Sequence, residues 1–259
     1  MTGDVNGAGG EGSRPLGMPQ CDMAAQKISL RVPASCRPGN EDRTQRAFSE
    51  SVEEYIDGIY RLQKEVDRVS TGEVATYMCV SAGSATTMIK KMAELGLVNH
   101  TPYYGIRLTD FGEKVAKQLT RAHRVLEVFL VDHLGLPWND VHELACKLEH
   151  YISEDVIDRI DDKIGNPKFC PHGNPVDADT PDESVRLGDA TSGRMKVAKI
   201  TDERVEFLLY LEGLGLKPGK EFEATGSTSV DSLIHLLIDG RDVTVGSEAA
   251  RHLWVLPVS

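Results

Sequence analysis

The chain contains no long uninterrupted apolar run, although 40% of its 259 residues are hydrophobic. No segment approaches the roughly 18 consecutive apolar residues that a membrane-spanning helix needs, so we expect no contact with a membrane. The first residues, Met1-Thr2-Gly3-Asp4, lack the basic start and the apolar stretch of a secretory signal. We therefore expect a cytoplasmic protein.

Cysteine is also scarce, with five residues at scattered positions: Cys21, Cys36, Cys79, Cys146 and Cys170. An odd, scattered set is not typical of a disulfide framework, and a cytoplasm is reducing. Any cysteine with a function is therefore expected to act as a thiol or as a metal ligand.

Acidic residues outnumber basic ones: the chain has 40 Asp and Glu and 29 Lys and Arg, which gives a net charge of −11. This balance argues against nucleic acid only if the charge is evenly spread. From Ser81 to Arg124, seven basic residues face three acidic ones, which gives a local charge of +4. A chance fluctuation on a solvated surface would give the same balance, so charge alone does not decide.

Shifts in composition divide the chain into five segments. Residues 1–47, rich in Gly, Pro and Ser, predict a disordered extension, and residues 166–191, with four prolines, predict a linker. Residues 48–112 combine helical periodicity with a hairpin signal, and residues 113–165 continue as helices. Residues 192–259 change to short apolar runs between Gly and Asp turns, which indicates a small β-barrel. The predicted fold is mostly α with a small all-β domain.

The order helix, turn, helix and hairpin over residues 69–109 is typical of a winged helix-turn-helix, whose second helix enters the DNA major groove. Small and hydroxyl side chains at the start of that helix can reach base edges, and lysines further along suit phosphates. Our candidates for DNA contact are Ser81, Gly83, Ser84, Thr86, Thr87, Lys90, Lys91, Tyr104 and Arg107. Serine and threonine can also simply cap a helix, so this pattern alone leaves DNA binding open.

Side chains that bind transition metals recur on three predicted helices. His142, Cys146, Glu149 and His150 stand at i, i+4, i+7 and i+8, which places them on one helix face. The preceding helix offers His123 and Glu127, and the first helix offers Glu54 and Asp57. One such pair is more often a solvated salt-bridge face than a metal site, but three sets together favour a metal site. Cys170-Pro171-His172 offers only two ligands, and we interpret it as a plain loop.

Several segments carry a family resemblance: Glu53–Tyr60, Met92–Val98, Leu108–Gly112, His123–Glu127, Val141–His150 and Gly173–Pro175. Through them, residues 51–177 resemble the diphtheria toxin repressor and manganese transport regulator family. Tyr210–Gly219 and Gly240–Val245 are similar to the SH3-like domain that many of these regulators share with a ferrous-iron transport accessory protein.

The resemblance implies a winged helix-turn-helix, a helical metal-binding and dimerisation domain, and an SH3-like barrel. It implies a DNA-binding regulator and not an enzyme. The regulator would be a homodimer that binds operator DNA and represses metal-uptake genes, with dimer contacts around residues 136–164. It implies one metal site made by Glu54, Cys146, Glu149 and His150. A second site would use His123, Glu127 and His142, with an acid from the SH3-like domain near Glu203 and Glu206.

The resemblance leaves the metal open between Mn(II) and Fe(II), with two ions per subunit. Cys146 is typical of iron-responsive members, whereas Glu54 and Asp57 resemble manganese-responsive ones. Two other classes are weighed against a metal-switched regulator. One is a DNA-binding protein whose metal is purely structural, and the other is a metalloenzyme, for which no catalytic base or substrate motif is apparent.

Overall fold

The computed structural model describes residues 48–101, 104–190, 192–228 and 233–258. The predicted extension, residues 1–47, lies outside these ranges. The described chain forms three consecutive units, each around its own hydrophobic core. Within the described ranges, no helix combines the length and apolar character needed to cross a bilayer.

The first unit is a winged helix-turn-helix. It contains α1 (Glu50–Leu62), α2 (Thr71–Tyr77), α3 (Ala82–Glu94), and the antiparallel strands β1 (Val98–Thr101) and β2 (Gly105–Leu108). Ser70 begins α2 with a capping box shared with Glu73, and the Ser81 side chain accepts a hydrogen bond from the Ser84 amide at the start of α3. Fully buried isoleucines from α1, α3 and the hairpin fill the core, together with Leu97 between α3 and β1.

The second unit is helical. The long helix α4 (Asp110–Val128) continues into a π-helical turn at Phe129–His133, and α5 (His142–Glu149) and α6 (Glu154–Lys163) pack against it. The core between them is small and apolar, and it includes Val125, Leu126 and Ile157. The face of α4 that turns toward α5 also buries two polar side chains, which belong to the candidate site described below.

The third unit is a six-stranded antiparallel sheet with strand order β3-β8-β4-β5-β6-β7. Its elements are β3 (Val185–Arg186), β4 (Gly193–Ile200), α7 (Val205–Leu214), β5 (Glu221–Thr228), β6 (Leu233–Ile238), β7 (Arg241–Gly246), α8 (Ser247–Ala250) and β8 (Leu253–Pro257). Every second residue of β6 is buried, as expected for a strand with one face on a core. The fold class predicted from the sequence is confirmed.

The segment predicted as a linker, residues 166–191, is irregular up to its end, where it supplies β3 of the sheet, so the third unit begins earlier than the sequence predicted. The backbone N–H of Ile200 donates to the carbonyl of His172 at 2.8 Å, and the Asn174 side chain donates to the carbonyl of Ile200 at 3.0 Å. Gly173 between them has φ +82°, and a Cβ there would lie 2.1 Å from the carbonyl oxygen of Ala198. This close approach fastens the β-domain to the helical unit.

Candidate metal centre and DNA-contacting surface

Helix α4 carries a histidine and a glutamate one turn apart, both buried against α5. His123 Nε2 lies 3.0 Å from Glu127 Oε1 and 3.1 Å from Nδ1 of His142 on α5. Glu127 is fully buried, which is costly for a carboxylate unless positive charge surrounds it. The sequence pattern predicted this face, and the structure brings all three residues together.

A fourth residue reaches this face from the C-terminal β-domain. Glu203, just before α7, places Oε2 2.9 Å from Nδ1 of His142. The ligand atoms of His123, Glu127, His142 and Glu203 all lie within 4.8 Å of one another. We call these four residues the inner cluster. Glu206, the other acid predicted near this position, is exposed and in none of the ligand groups found among the described residues.

The charges of the inner cluster compensate one another in the absence of a metal ion. Burial and Glu127 act to raise the pKa of Glu203, but His142 and His172 outweigh them and lower it to about 2. Burial likewise acts to lower the pKa of His142, but Glu203 outweighs it and raises that pKa to about 11. The cluster is therefore arranged to hold positive charge between its carboxylates.

Two residues of the segment interpreted as a plain loop reach the inner cluster from behind. His172 and Cys170 are buried, and His172 Nδ1 lies 3.1 Å from Glu127 Oε1. Nε2 of His172 lies 2.8 Å from the carbonyl oxygen of Trp138, so this nitrogen carries a proton and donates. Burial acts to lower the pKa of His172, but Glu127 and Glu203 outweigh it and raise that pKa, so Nδ1 also holds a proton toward Glu127 in the metal-free protein. The plain-loop interpretation missed these contacts because two ligands in a linker do not reveal their partner on α4.

Unpaired atoms give a direct test of whether a metal ion fits here. Among the described residues, Glu127 Oε2, His172 Nδ1 and Glu203 Oε2 are buried without a hydrogen bond of acceptable geometry. Buried polar atoms are normally paired, and two of these atoms are carboxylate oxygens from one ligand group, so a cation held by that group would satisfy them. Imidazole, carboxylate and thiol ligands together suit a divalent transition metal. The residues present therefore fit the metal that the sequence predicted.

A second group lies where α1 meets the end of α5. His150 Nδ1 lies 2.7 Å from Glu53 Oε2, and His150 Nε2 lies 3.8 Å from Glu149 Oε1. Ligand atoms of Glu50, Glu54 and His150 lie within 4.8 Å of one another. We call Glu54, Glu149 and His150 the outer cluster. Sequence reasoning named these three but missed Glu50 and Glu53, whose acidic side chains are ordinary at the first turn of a helix.

Two predicted ligands have other neighbours. The Cys146 thiol lies 3.6 Å from His142 Nε2 and 3.9 Å from His123 Nδ1, so it faces the inner cluster. Burial acts to raise the thiol pKa, but hydrogen bonds from the two histidines outweigh it and lower the pKa to about 7. The Asp57 carboxylate accepts a hydrogen bond from Arg61 at 2.6 Å and is in none of the ligand groups of the described chain.

The DNA-contacting candidates lie on α3 and on the hairpin. Most of these side chains are exposed on α3, Thr86 is partly buried, and Tyr104 at the hairpin is 74% exposed. The Thr86 and Thr87 hydroxyls donate to backbone carbonyls one turn back, so part of their polarity is used within the helix. Arg107 on β2 lies 3.2 Å from Asp67.

Family models match all three units. Residues 47–106 match the N-terminal DNA-binding domain of iron-dependent repressors, residues 109–177 match their metal-binding and dimerisation domain, and residues 185–257 match a FeoA domain.

Whole proteins and solved structures match as well. The chain is 40% identical over 123 residues to an uncharacterised HTH-type transcriptional regulator of Methanocaldococcus jannaschii, covering 47% of this chain and 97% of that protein. It is 30% identical to the iron-dependent repressor IdeR of Mycobacterium leprae over 224 residues, covering 80% and 96%. A solved manganese-dependent transcriptional repressor in complex with manganese matches with a TM-score of 0.73 and 35% identity, covering 80% of this chain and all of that one.

Proposed function

The chain belongs to the iron-dependent repressor family, and from this premise we propose that it represses metal-uptake genes when its two clusters are loaded. Membership confirms the predicted family and a metal-dependent DNA-binding regulator rather than an enzyme. The proposal adds the direction of regulation, the homodimer and a cytoplasmic location. The observation that carries it is the set of unpaired buried atoms around the inner cluster.

We assign the ligands to two ions per subunit. For one ion we propose His123, Glu127, His142 and Glu203, with Cys170 and His172 on the far side of Glu127. For the other we propose Glu54, Glu149 and His150, and we assign the Cys146 thiol to the side of the inner cluster. A bound ion would supply a fixed positive charge that joins side chains from different units. Asp57 is left out of both sets because Arg61 engages its carboxylate.

The metal is Mn(II) or Fe(II) in this proposal. Hard carboxylate oxygens suit Mn(II), whereas a thiolate and imidazoles suit softer ions. Carboxylates make up two of the three residues of the outer cluster. The inner cluster has Cys146 and Cys170 nearby. The relatives named above include both an iron-dependent and a manganese-dependent repressor, and this mixture agrees with the mixed ligand set.

The contacts support a switch through the position of the DNA-reading unit. Helix α1 belongs to the winged helix-turn-helix, but its residues Glu53 and Glu54 face His150 of the helical unit. Glu53 and His150 already join α1 to α5, and an ion held by the outer cluster would hold the two helices together more firmly. In a homodimer, that relation sets the spacing of the two α3 helices, which must match half-sites about one helical turn apart.

The experiment is a metal titration with two readouts on the full chain. Operator affinity, measured on DNA selected by this protein from random duplexes, should rise at least about 5-fold with Mn(II) or Fe(II). Circular dichroism should change little over the same titration. A fold that forms only with metal would instead favour a purely structural ion. An unchanged operator affinity at saturating metal would refute the proposed switch.

A further inference from the structure

The C-terminal β-domain contacts the DNA-binding unit as well as the helical unit. Arg186 Nη2 lies 2.5 Å from Oε1 of Glu65, just beyond α1, and Arg61 Nη1 on α1 lies 3.9 Å from Oε2 of Glu203. The second contact is the more informative, because Glu203 also belongs to the inner cluster. One carboxylate thus faces a proposed metal centre and the helix that carries the DNA-reading unit.

The orientation of Arg61 is set by its own helix. Its Nε donates to Oδ2 of Asp57, one turn earlier, at 2.6 Å. A guanidinium is planar, so fixing Nε on Asp57 also fixes the direction of Nη1, which here is toward Glu203. Asp57 balances the charge of Arg61, so the guanidinium adds no net positive charge beside the inner cluster.

Helix α1 in turn packs without a gap against the end of α2. A Cβ at Gly58 would lie 2.9 Å from Sδ of Met78 and 3.2 Å from the ring of Tyr77. These two residues lead directly into the turn before Ser81, where α3 begins. A shift of α1 therefore displaces the helix-turn-helix, because close-packed elements move together.

We propose that Arg61, oriented by Asp57, restrains α1 against Glu203 in the metal-free protein and that loading the inner cluster relaxes this restraint. This inference rests on the proposed function of that cluster. Without metal, the Glu203 carboxylate faces both His142 and Arg61. A Glu203 that ligates a cation offers Arg61 less negative charge, so the contact differs between the two states, as a switch requires. Arg61 is a positioning residue here and not a ligand.

The test compares metal binding and DNA binding in the full chain. Arg61→Met should raise operator affinity in the absence of metal by about 5-fold or more and reduce the metal-induced gain by the same factor. The Mn(II) dissociation constant without DNA, measured by isothermal titration, should fall by a similar factor, because a contact that metal binding loosens also opposes metal binding. Arg194→Met, which breaks an exposed ion pair with Glu221 inside the β-domain, is the matched control.

Two further variants test whether the charge of Arg61 carries this link and whether Asp57 anchors it. Arg61→Lys keeps the charge and should retain most of the metal response, since the 3.9 Å contact is an ion pair without a hydrogen bond. If Arg61→Lys and Arg61→Met lose the metal-induced gain in operator affinity to the same extent, the charge of Arg61 does not link α1 to Glu203. Asp57→Asn loosens the anchor of Arg61, so it should leave Mn(II) binding unchanged or tighter. A loss of Mn(II) affinity of about 10-fold or more would make Asp57 a ligand and overturn its role as the anchor of Arg61.

Comparing the metal response of the wild type with that of Arg61→Met separates the failure of this inference from the failure of the proposed function. If Arg61→Met responds to metal as the wild type does, the inference is wrong and the proposed function stands. If the wild type itself shows no metal response, the proposed function is wrong and the inference falls with it. Thermal unfolding confirms that each variant is folded, and Arg61→Gln replaces Arg61→Met should the latter not fold.

Discussion

Nδ1 of His150 lies 2.7 Å from Oε2 of Glu53, and this contact joins the end of α5 to α1. Both side chains are more than nine-tenths buried. A carboxylate on one imidazole nitrogen holds the proton there and leaves the other nitrogen free to ligate a metal ion. Glu53 therefore turns Nε2 of His150 toward the other residues of the outer cluster.

Removing this orienting carboxylate should weaken the outer site. Glu53→Ala should reduce metal affinity by about 10- to 100-fold, which is typical of losing the partner of a ligating histidine. The measurement is isothermal titration with Mn(II). Glu143→Ala, on the solvent side of α5 and 76% exposed, is the control and should bind like the wild type. Equal affinities in all three proteins would mean that Glu53 does not orient a ligand.

The two acids near α7 should behave differently. Glu203→Ala removes a member of the inner cluster and should weaken metal binding by about 10-fold or more. Glu206→Ala removes an exposed carboxylate three residues later and should have no effect. Parallel metal titrations of the two variants check this. Weak binding by the Glu206 variant alone would show that the inner cluster is wrongly assigned.

Cys146 should influence metal preference. Cys146→Glu replaces a thiol with hard oxygen atoms, so activation should shift toward Mn(II) relative to Fe(II). Operator affinity as a function of free Mn(II) and Fe(II), under reducing and anaerobic conditions, gives the ratio of the two midpoints. Cys79→Ser, in the turn before α3, is a cysteine control. An unchanged midpoint ratio would place Cys146 outside the ligand set.

Metal affinity should rise with pH. In the metal-free protein, Glu203 raises the pKa of His142 to about 11, and the Cys146 pKa is about 7. A metal ion must displace the His142 proton, so affinity should fall about tenfold per pH unit as pH decreases from about 8 to about 6, and the Cys146 thiol should steepen this fall only below about pH 7. Titrations in buffers of different ionisation enthalpy count the released protons. Binding without proton release would contradict the protonated, metal-free state.

Lys90 and Lys91 should contribute to DNA affinity without reading sequence. Both side chains are exposed on α3. Changing either to Ala should weaken binding to all duplexes and reduce the slope of log affinity against log salt by about 1 for each lost phosphate contact. Lys163→Ala, at the end of α6, serves as control. Salt slopes equal to that of the wild type in both variants would remove the lysines from the interface.

The fold was predictable because its signals are local. The apolar spacing of α1 and α4, the Ser70 and Ser81 caps, and the alternation in β6 each lie within one element. Residues on one helix face were predictable for the same reason, so spacing pointed to His123 with Glu127 on α4 and to His142 on α5, whereas their grouping into one site came from the family resemblance. The exact ends of helices were less well predicted, since capping contacts decide them.

The rest of the site depends on how the units pack. Glu203, Cys170 and His172 come from a loop and a separate domain, and no spacing rule connects them to Glu127 on α4. Cys146 shares a helix face with Glu149 and His150, yet its thiol lies against His123 and His142. Only the arrangement of α4 against α5 decides which of two neighbouring clusters a side chain on that face joins.

Gly173 gives the assembly a consequence for how such proteins can be recombined. The loop backbone meets the carbonyl of Ala198 so closely that no side chain fits between them. If a FeoA domain from another protein replaced this one, its backbone would have to approach Gly173 equally closely. Only then would its counterpart of Glu203 reach the inner cluster. The domains of this chain are therefore not freely interchangeable, because the contact between Gly173 and β4 requires a residue without a side chain.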